Sequence, residues 1–234
     1  MSRDYIKINN VSSLTITGLA IKSMPPIVKP PMRTLIEEID GRNGDIITEL
    51  GYGAYDKTIE IGLYGNYNID KVIAFFNAKG TIEFSNELGK IYNFSIAEQI
   101  DFESLLKFRE ATITIHVQPF KYPTSETAVS ITTTTAQTIT NSGNIYSKPI
   151  LDIKGTGVVG VKLGGTQILE VDCTNNSEII IDTEILEAYT PQNVLANRDI
   201  TGDYDSFRLE VGNNTIQFTG DFTSATITKY SRWL

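Results

Sequence analysis

The 234-residue sequence holds one cysteine, one histidine and one tryptophan. Cys173 cannot close an internal disulfide, so the fold does not rest on cross-links, which suits synthesis in a reducing cytoplasm. One histidine and one cysteine cannot supply a structural zinc tetrad. No window approaches the roughly 20 consecutive apolar residues that span a bilayer. The N-terminus, MSRDYIKINN, is polar and lacks an apolar signal core. The product is therefore expected to be soluble when made, without membrane insertion. Basic runs are also missing: 20 Lys+Arg face 28 Asp+Glu, a net charge of −8. An acidic chain repels phosphate, which disfavours sequence-independent binding of nucleic acid.

What is present is β pattern. Hydrophobic residues make up 41% and charged residues 21%, enough for a packed core. Short Thr, Ile and Val runs are broken by Gly, Asn and Asp about every ten residues, the signature of sandwiches and barrels. Residues 14–22 (LTITGLAIK) and 58–65 (TIEIGLYG) alternate as half-buried strands. Residues 34–39 and 45–50 flank Asp40-Gly41-Arg42-Asn43-Gly44, whose glycines supply the positive φ angles of a hairpin loop. Around 69–78, Ile69, Val72, Ile73 and Phe76 form an apolar helical stripe, with Asn68 as N-cap and Gly80 as the terminating residue. Residues 96–108 read as a short helix or turn, with Ser95–Glu98 matching a capping box. Residues 111–118 read as a strand stopping at Pro119.

The Thr-rich stretch 124–144 marks a composition shift, part strand and part linker, and places a domain boundary near 122–146. The division adopted is 1–135 and 136–234. The second half repeats short strands: ILDIKGTG, VVGVKLGG, QILEVD, EIIIDTE, SFRLEVG, NTIQFTG and SATITKYSRWL. Asn213-Asn214 reads as a turn. The half as a whole reads as an antiparallel sandwich.

His116 lies mid-strand, opposite Ile115 and Val117, and reads as a surface polar residue; no G-x-S-x-G exists to make a relay with it. Cys173 reads as a small half-buried residue. Asp199, Asp203 and Asp205 cluster in a loop that lacks EF-hand spacing. Gly155, Gly157 and Gly160 match G-x-G-x-x-G by letter, but strand follows instead of the helix that motif needs. Glu37, Glu38, Glu98, Asp101 and Glu103 read as surface acids rather than a glycosidase pair. Tyr189 and Tyr204 leave sugar contact open as an alternative: a carbohydrate-binding sandwich used in host-surface recognition. No catalytic residue, metal or cofactor is expected.

Several motifs carry a family likeness. Gly202-Asp203, Gly212-Asn213-Asn214-Thr215-Ile216 and Arg232-Trp233 resemble the C-terminus of siphophage distal tail proteins. NSGNIYSKPILDIKGTG, with Asn141, Gly143, Ser147, Pro149 and Gly155, is similar to that family's entry into its second domain. Asp182 in IIIDTE looks like a third shared element. In the first half, Gly41-Arg42 and Gly44 resemble the family's early hairpin, and Pro119, Phe120 and Tyr122 its Pro-Phe-x-Tyr exit.

The resemblance implies a mostly β chain with an N-terminal ring-forming β domain bearing one short helix and a galectin-like C-terminal antiparallel sandwich. It further implies a structural virion protein: a homohexameric hub ring at the distal end of a long non-contractile tail. That ring would join the tail tube to tail-associated hub proteins, with receptor-binding parts attached around it. DNA would cross its lumen without specific binding. Relatives with large C-terminal insertions carry sugar-binding modules; this chain has little room for one. Closed rings need heterologous contacts, and Ile36, Ile39, Ile46 and Ile47 of the hairpin are the candidate ring-interface residues.

Overall fold

The computed structural model describes residues 4–77, 79–96, 100 and 102–234. They divide into two compact units, one ending at Thr124 and the other spanning Ser125–Trp233. The division falls eleven residues before the sequence-based one at 135. The Thr-rich segment from Ser125 onward is committed to the second unit by its own strand pairing.

The first unit contains β1 (Ile6–Ile8), β2 (Val11–Ser12), β3 (Leu19–Ser23), β4 (Met32–Glu37), β5 (Ile46–Tyr52), β6 (Tyr55–Leu63), α1 (Ile69–Phe76), β7 (Lys79–Phe84), β8 (Lys90–Ser95), α2 (Phe102–Phe108) and β9 (Glu110–Pro123). Seven strands form one antiparallel sheet in the order β2-β1-β7-β8-β9-β6-β3. Alternation sends Ile59, Ile61, Ile113 and Ile115 to one face, where all are buried. On α1, Val72, Phe75 and Phe76 are buried in the same core, each contributing on the order of 2 kcal/mol by leaving water.

Several local expectations are corrected. The strand expected over 14–22 begins only at Leu19, because Ser12 caps a 3-10 turn over Ser13–Thr15 by accepting a hydrogen bond from the Leu14 amide. Gly18 then turns the chain at φ +79°, where a side chain would overlap Tyr67. Asn68 does cap α1, its side chain accepting from the Lys71 amide at 3.1 Å. The helix ends at Asn77, and Gly80 instead lies inside β7. The capping box expected at Ser95–Glu98 lies partly outside the described residues. The strand after 111 does not stop at Pro119. It runs on to Pro123, and Pro119 falls in the register shift between the Phe94↔Val117 and Tyr92↔Lys121 pairs, where its missing N–H breaks no ladder bond.

The second unit contains β10 (Val129–Ile131), β11 (Gln137–Asn141), β12 (Ile150–Leu163), β13 (Thr166–Asp172), β14 (Glu178–Asp182), β15 (Glu187–Tyr189), β16 (Ile200–Gly202) and β17 (Gly212–Thr228). Two strands are far longer than expected. β12 absorbs ILDIKGTG and VVGVKL, and β17 absorbs two further runs, with Asn213 and Asn214 paired to Thr140 and Ile139 rather than turning. The early half of β12 pairs with β14 and the end of β17; the late half pairs with β13 and the start of β17. Both strands therefore belong to both layers of a sandwich. Register shifts at Lys154/Gly155 and Gly155/Val159 make the bend. SFRLEVG is a strand only at Gly212, where β17 begins; before it Phe207 and Leu209 are buried, and residues 206–211 make an isolated bridge, Ser147↔Leu209.

Candidate functional site

The hairpin expected over 34–50 exists and stands apart. β4 and β5 make a two-stranded sheet of their own. Gly41 and Gly44 in its loop both have φ +79°, as the loop chemistry requires. Within 32–52 every residue is exposed except the half-buried Met32, Ile46 and Tyr52.

Directly opposed residues of an antiparallel pair share a face. Ile36 lies opposite Ile47, so both project from one face of the hairpin. Glu37 lies opposite Ile46 and Leu35 opposite Thr48, so Ile46 and Leu35 project from the other. By alternation Leu50 joins that second face. Leu35, Ile36, Ile39, Ile47 and Leu50 are between 47% and 62% exposed. A two-stranded ribbon is marginal alone, and this one carries exposed aliphatics on both faces. The sequence reading named Ile36, Ile39, Ile46 and Ile47 but missed Leu35 and Leu50. Strand alternation was the signal that would have found them.

The hairpin arm leaves the domain through residues 24–31, which include four prolines (Pro25, Pro26, Pro30 and Pro31). The Asn86 side-chain amide donates to the Pro25 carbonyl oxygen at 2.9 Å. Lys57 Nζ donates to the Pro26 carbonyl oxygen at 3.1 Å. The Gly53 amide donates to the Pro31 carbonyl oxygen at 2.8 Å. Tyr52 packs edge-on against Phe120, with ring centres 5.8 Å apart.

Beside that root lies a buried ionic cluster. The Glu87 carboxylate accepts from Tyr92 Oη at 2.6 Å, Lys121 Nζ at 2.8 Å and Lys57 Nζ at 3.3 Å. Burial alone would raise the Glu87 carboxyl; the donors Lys121 and Tyr92 and the charges of both lysines outweigh it and hold the group below its ordinary value. Burial lowers the Lys57 ammonium, an effect Glu87 partly offsets. Burial also pushes the Tyr92 phenol far up, with Glu87 adding to it. Nothing in the sequence pattern pointed to this cluster.

The other candidate residues are dispersed. His116 is exposed, with Nδ1 2.7 Å from Asp56 Oδ1. Cys173 is buried in the second core, and burial raises its thiol. Asp203 accepts from the Asp205 amide and the Ser206 hydroxyl, Asp205 pairs with Lys148, and Asp199 accepts from Asn176, so the three aspartates serve separate partners. Gly155, Gly157 and Gly160 lie in β12; a side chain at Gly157 would meet Asp221 and one at Gly160 would meet Thr219. Glu37, Glu38 and Glu103 are exposed; Glu98 and Asp101 lie outside the described residues. Tyr189 and Tyr204 are half-buried, with Tyr204 Oη 3.4 Å from Asn197 Oδ1. Among the described residues no His, Cys, Asp and Glu group of three or more gathers as a metal site, and no helix is long and apolar enough to cross a membrane.

The fold is similar to those of solved phage proteins. The crystal structure of SPP1 Dit, a hub of the adsorption apparatus of phages infecting Gram-positive bacteria, superposes with a TM-score of 0.73 at 15% identity, covering 100% of both chains. A chain of the phage P2 baseplate in its activated, calcium-containing conformation matches with a TM-score of 0.51 at 11% identity over 97% of each chain. The sequence matches no protein-family profile and no curated protein.

Proposed function

We propose that this chain is a structural hub component of a long phage tail, forming a closed, six-fold ring at the distal end that joins the tail tube to the tip proteins. The observation that supports this most is the end-to-end likeness to SPP1 Dit, which covers both chains completely and therefore includes both units. The arm adds a physical reason. Five half-exposed aliphatics on a free-standing hairpin are held in water at a cost of about 1 kcal/mol each. A second copy covering them recovers that energy, and head-to-tail contacts that close make a ring.

In this reading Ile36, Ile39, Ile46 and Ile47 are ring-interface residues, joined by Leu35 and Leu50. The chain is not an enzyme, and it resides in the virion tail after synthesis in the host cytoplasm. DNA crosses the lumen unheld, in keeping with the net charge of −8. The division of labour assigns ring formation to the first unit and docking of outer tail parts to the sandwich.

The test is electron microscopy of the purified protein, alone and mixed with tail-tube and tip proteins of the same phage. Closed six-fold rings are expected. Monomers only, under both conditions, overturn the reading.

A further inference from the structure

We propose that Asn86 and Glu87, on the turn between β7 and β8, form a clamp that fixes the direction of the hairpin arm: Asn86 holds the Pro25 carbonyl directly, and Glu87 anchors the Lys57 ammonium that holds the Pro26 carbonyl. The inference rests on reading residues 32–52 as an assembly arm.

The chemistry of the root explains why side chains must do this. Prolines carry no N–H, so Pro25, Pro26, Pro30 and Pro31 cannot anchor the segment by donating to a neighbouring strand. Their carbonyl oxygens are the backbone groups they have to offer, and a carbonyl needs a donor. Asn86 supplies one to Pro25 and Lys57 one to Pro26. Lys57 is 2% exposed, and an ammonium in that position requires an anion. Glu87 is that anion, and it is itself held by Lys121 from β9 and Tyr92 from β8. The chain of contacts runs from three strands of the sheet, through one carboxylate, to the arm's first anchored carbonyls. A second hold, Gly53 on Pro31, closes the far side of the root.

Fixed φ at four prolines and gripped carbonyls together make a rigid strut. The ordering entropy of the root is then spent on folding rather than on association, which favours docking by a preorganised arm. Glu87 and Asn86 are positioning residues: neither needs to touch a neighbouring copy.

The experiment is hydrogen exchange on the full chain kept monomeric by dilution, comparing Asn86→Ala and Glu87→Gln with the parent. Asn86 is exposed, so its removal leaves the core intact. The expected result is faster exchange at the Gly53 amide, which donates to the Pro31 carbonyl oxygen at the root. We expect about five-fold for Asn86→Ala and about ten-fold or more for Glu87→Gln, while Ile59 and Ile113 in the sheet are unchanged. If Glu87→Gln unfolds the unit, Asn86→Ala decides alone. Unchanged exchange at the root in Asn86→Ala, or acceleration spread evenly over the sheet, overturns the clamp. Assembly is measured separately by light scattering against concentration. If the root loosens while the parent itself never assembles, the clamp stands and the ring reading falls.

Discussion

Arg232 holds Tyr146 twice: its guanidinium lies 4.8 Å above the Tyr146 ring, and its Nε donates to the Tyr146 carbonyl oxygen at 2.8 Å. A third contact runs from Nη1 to Glu184 at 3.0 Å. Arg232 is 2% exposed although it lies beyond the last strand, β17. The planar fork suits this triple role, and an ammonium does not.

Arg232→Lys is therefore expected to destabilise the second unit by about 2 kcal/mol, and Arg232→Ala by about 3–4 kcal/mol through the stranded partners and lost packing. Urea unfolding followed by the fluorescence of Trp233, the single tryptophan, reads this unit selectively. A midpoint unchanged by Arg232→Ala would show that the end of the chain is a passive tail.

Replacing both members of the opposed pair, Ile36→Asp with Ile47→Asp, is expected to abolish assembly. Leu35→Asp with Leu50→Asp is expected to do the same from the other face. Neither should change the unfolding midpoint by more than about 0.5 kcal/mol, since the sites are exposed. Light scattering gives particle mass and circular dichroism gives folding. Assembly that survives loss of one face would show the arm lying on a single surface rather than between two.

Acid and base both weaken the Glu87 cluster, through different groups. The folded-state Glu87 carboxyl sits below its ordinary value of 4.5, so its contribution is fully present above that value and is lost as pH falls through the lower one. The Tyr92 phenol is raised above its ordinary value of 10.0, so its contribution is present below that value and declines as pH rises past it. Urea midpoints of the first unit should therefore fall below about pH 4.5 and above about pH 10. Glu87→Gln should flatten the acid limb. An acid limb of the same depth in that variant would assign acid sensitivity to other carboxylates.

Gly18→Ala should cost about 2–4 kcal/mol, combining left-handed strain at φ +79° with overlap on Tyr67 Cβ. Gly41→Ala has the same φ but open space around it, so it should cost only about 1–2 kcal/mol, confined to the arm. Comparing the two by thermal unfolding separates conformational strain from crowding.

The arm was legible because its information is local: two glycines in five residues between apolar runs. Its two-faced character was legible too, since neighbouring Leu35 and Ile36 must point to opposite sides of a strand; which residues oppose one another was not, because the shift between Met32 and Thr34 is set by pairing rather than by composition. The clamp was illegible for a different reason. Residues 25, 26, 57, 86, 87, 92 and 121 come together only through the sheet, and each alone reads as an ordinary surface polar or turn residue. The sandwich misled in the opposite way. ILDIKGTG and VVGVKLGG were read as separate strands, whereas Gly155 and Gly157 lie within one, β12, at its register shifts. The reading of Pro119 as a stop failed because a register shift supplied a place where no donor was needed.

β12 and β17 bear on how the sandwich would withstand a pulling force. In an ordinary sandwich the two layers meet only through side chains and can slide over one another. Here two covalent strands run through both layers, side by side across the bend. A pull on one layer is carried into the other along peptide bonds. Shearing the layers apart would first require unzipping the β12–β17 ladder, so the second unit should give way as a whole rather than layer by layer.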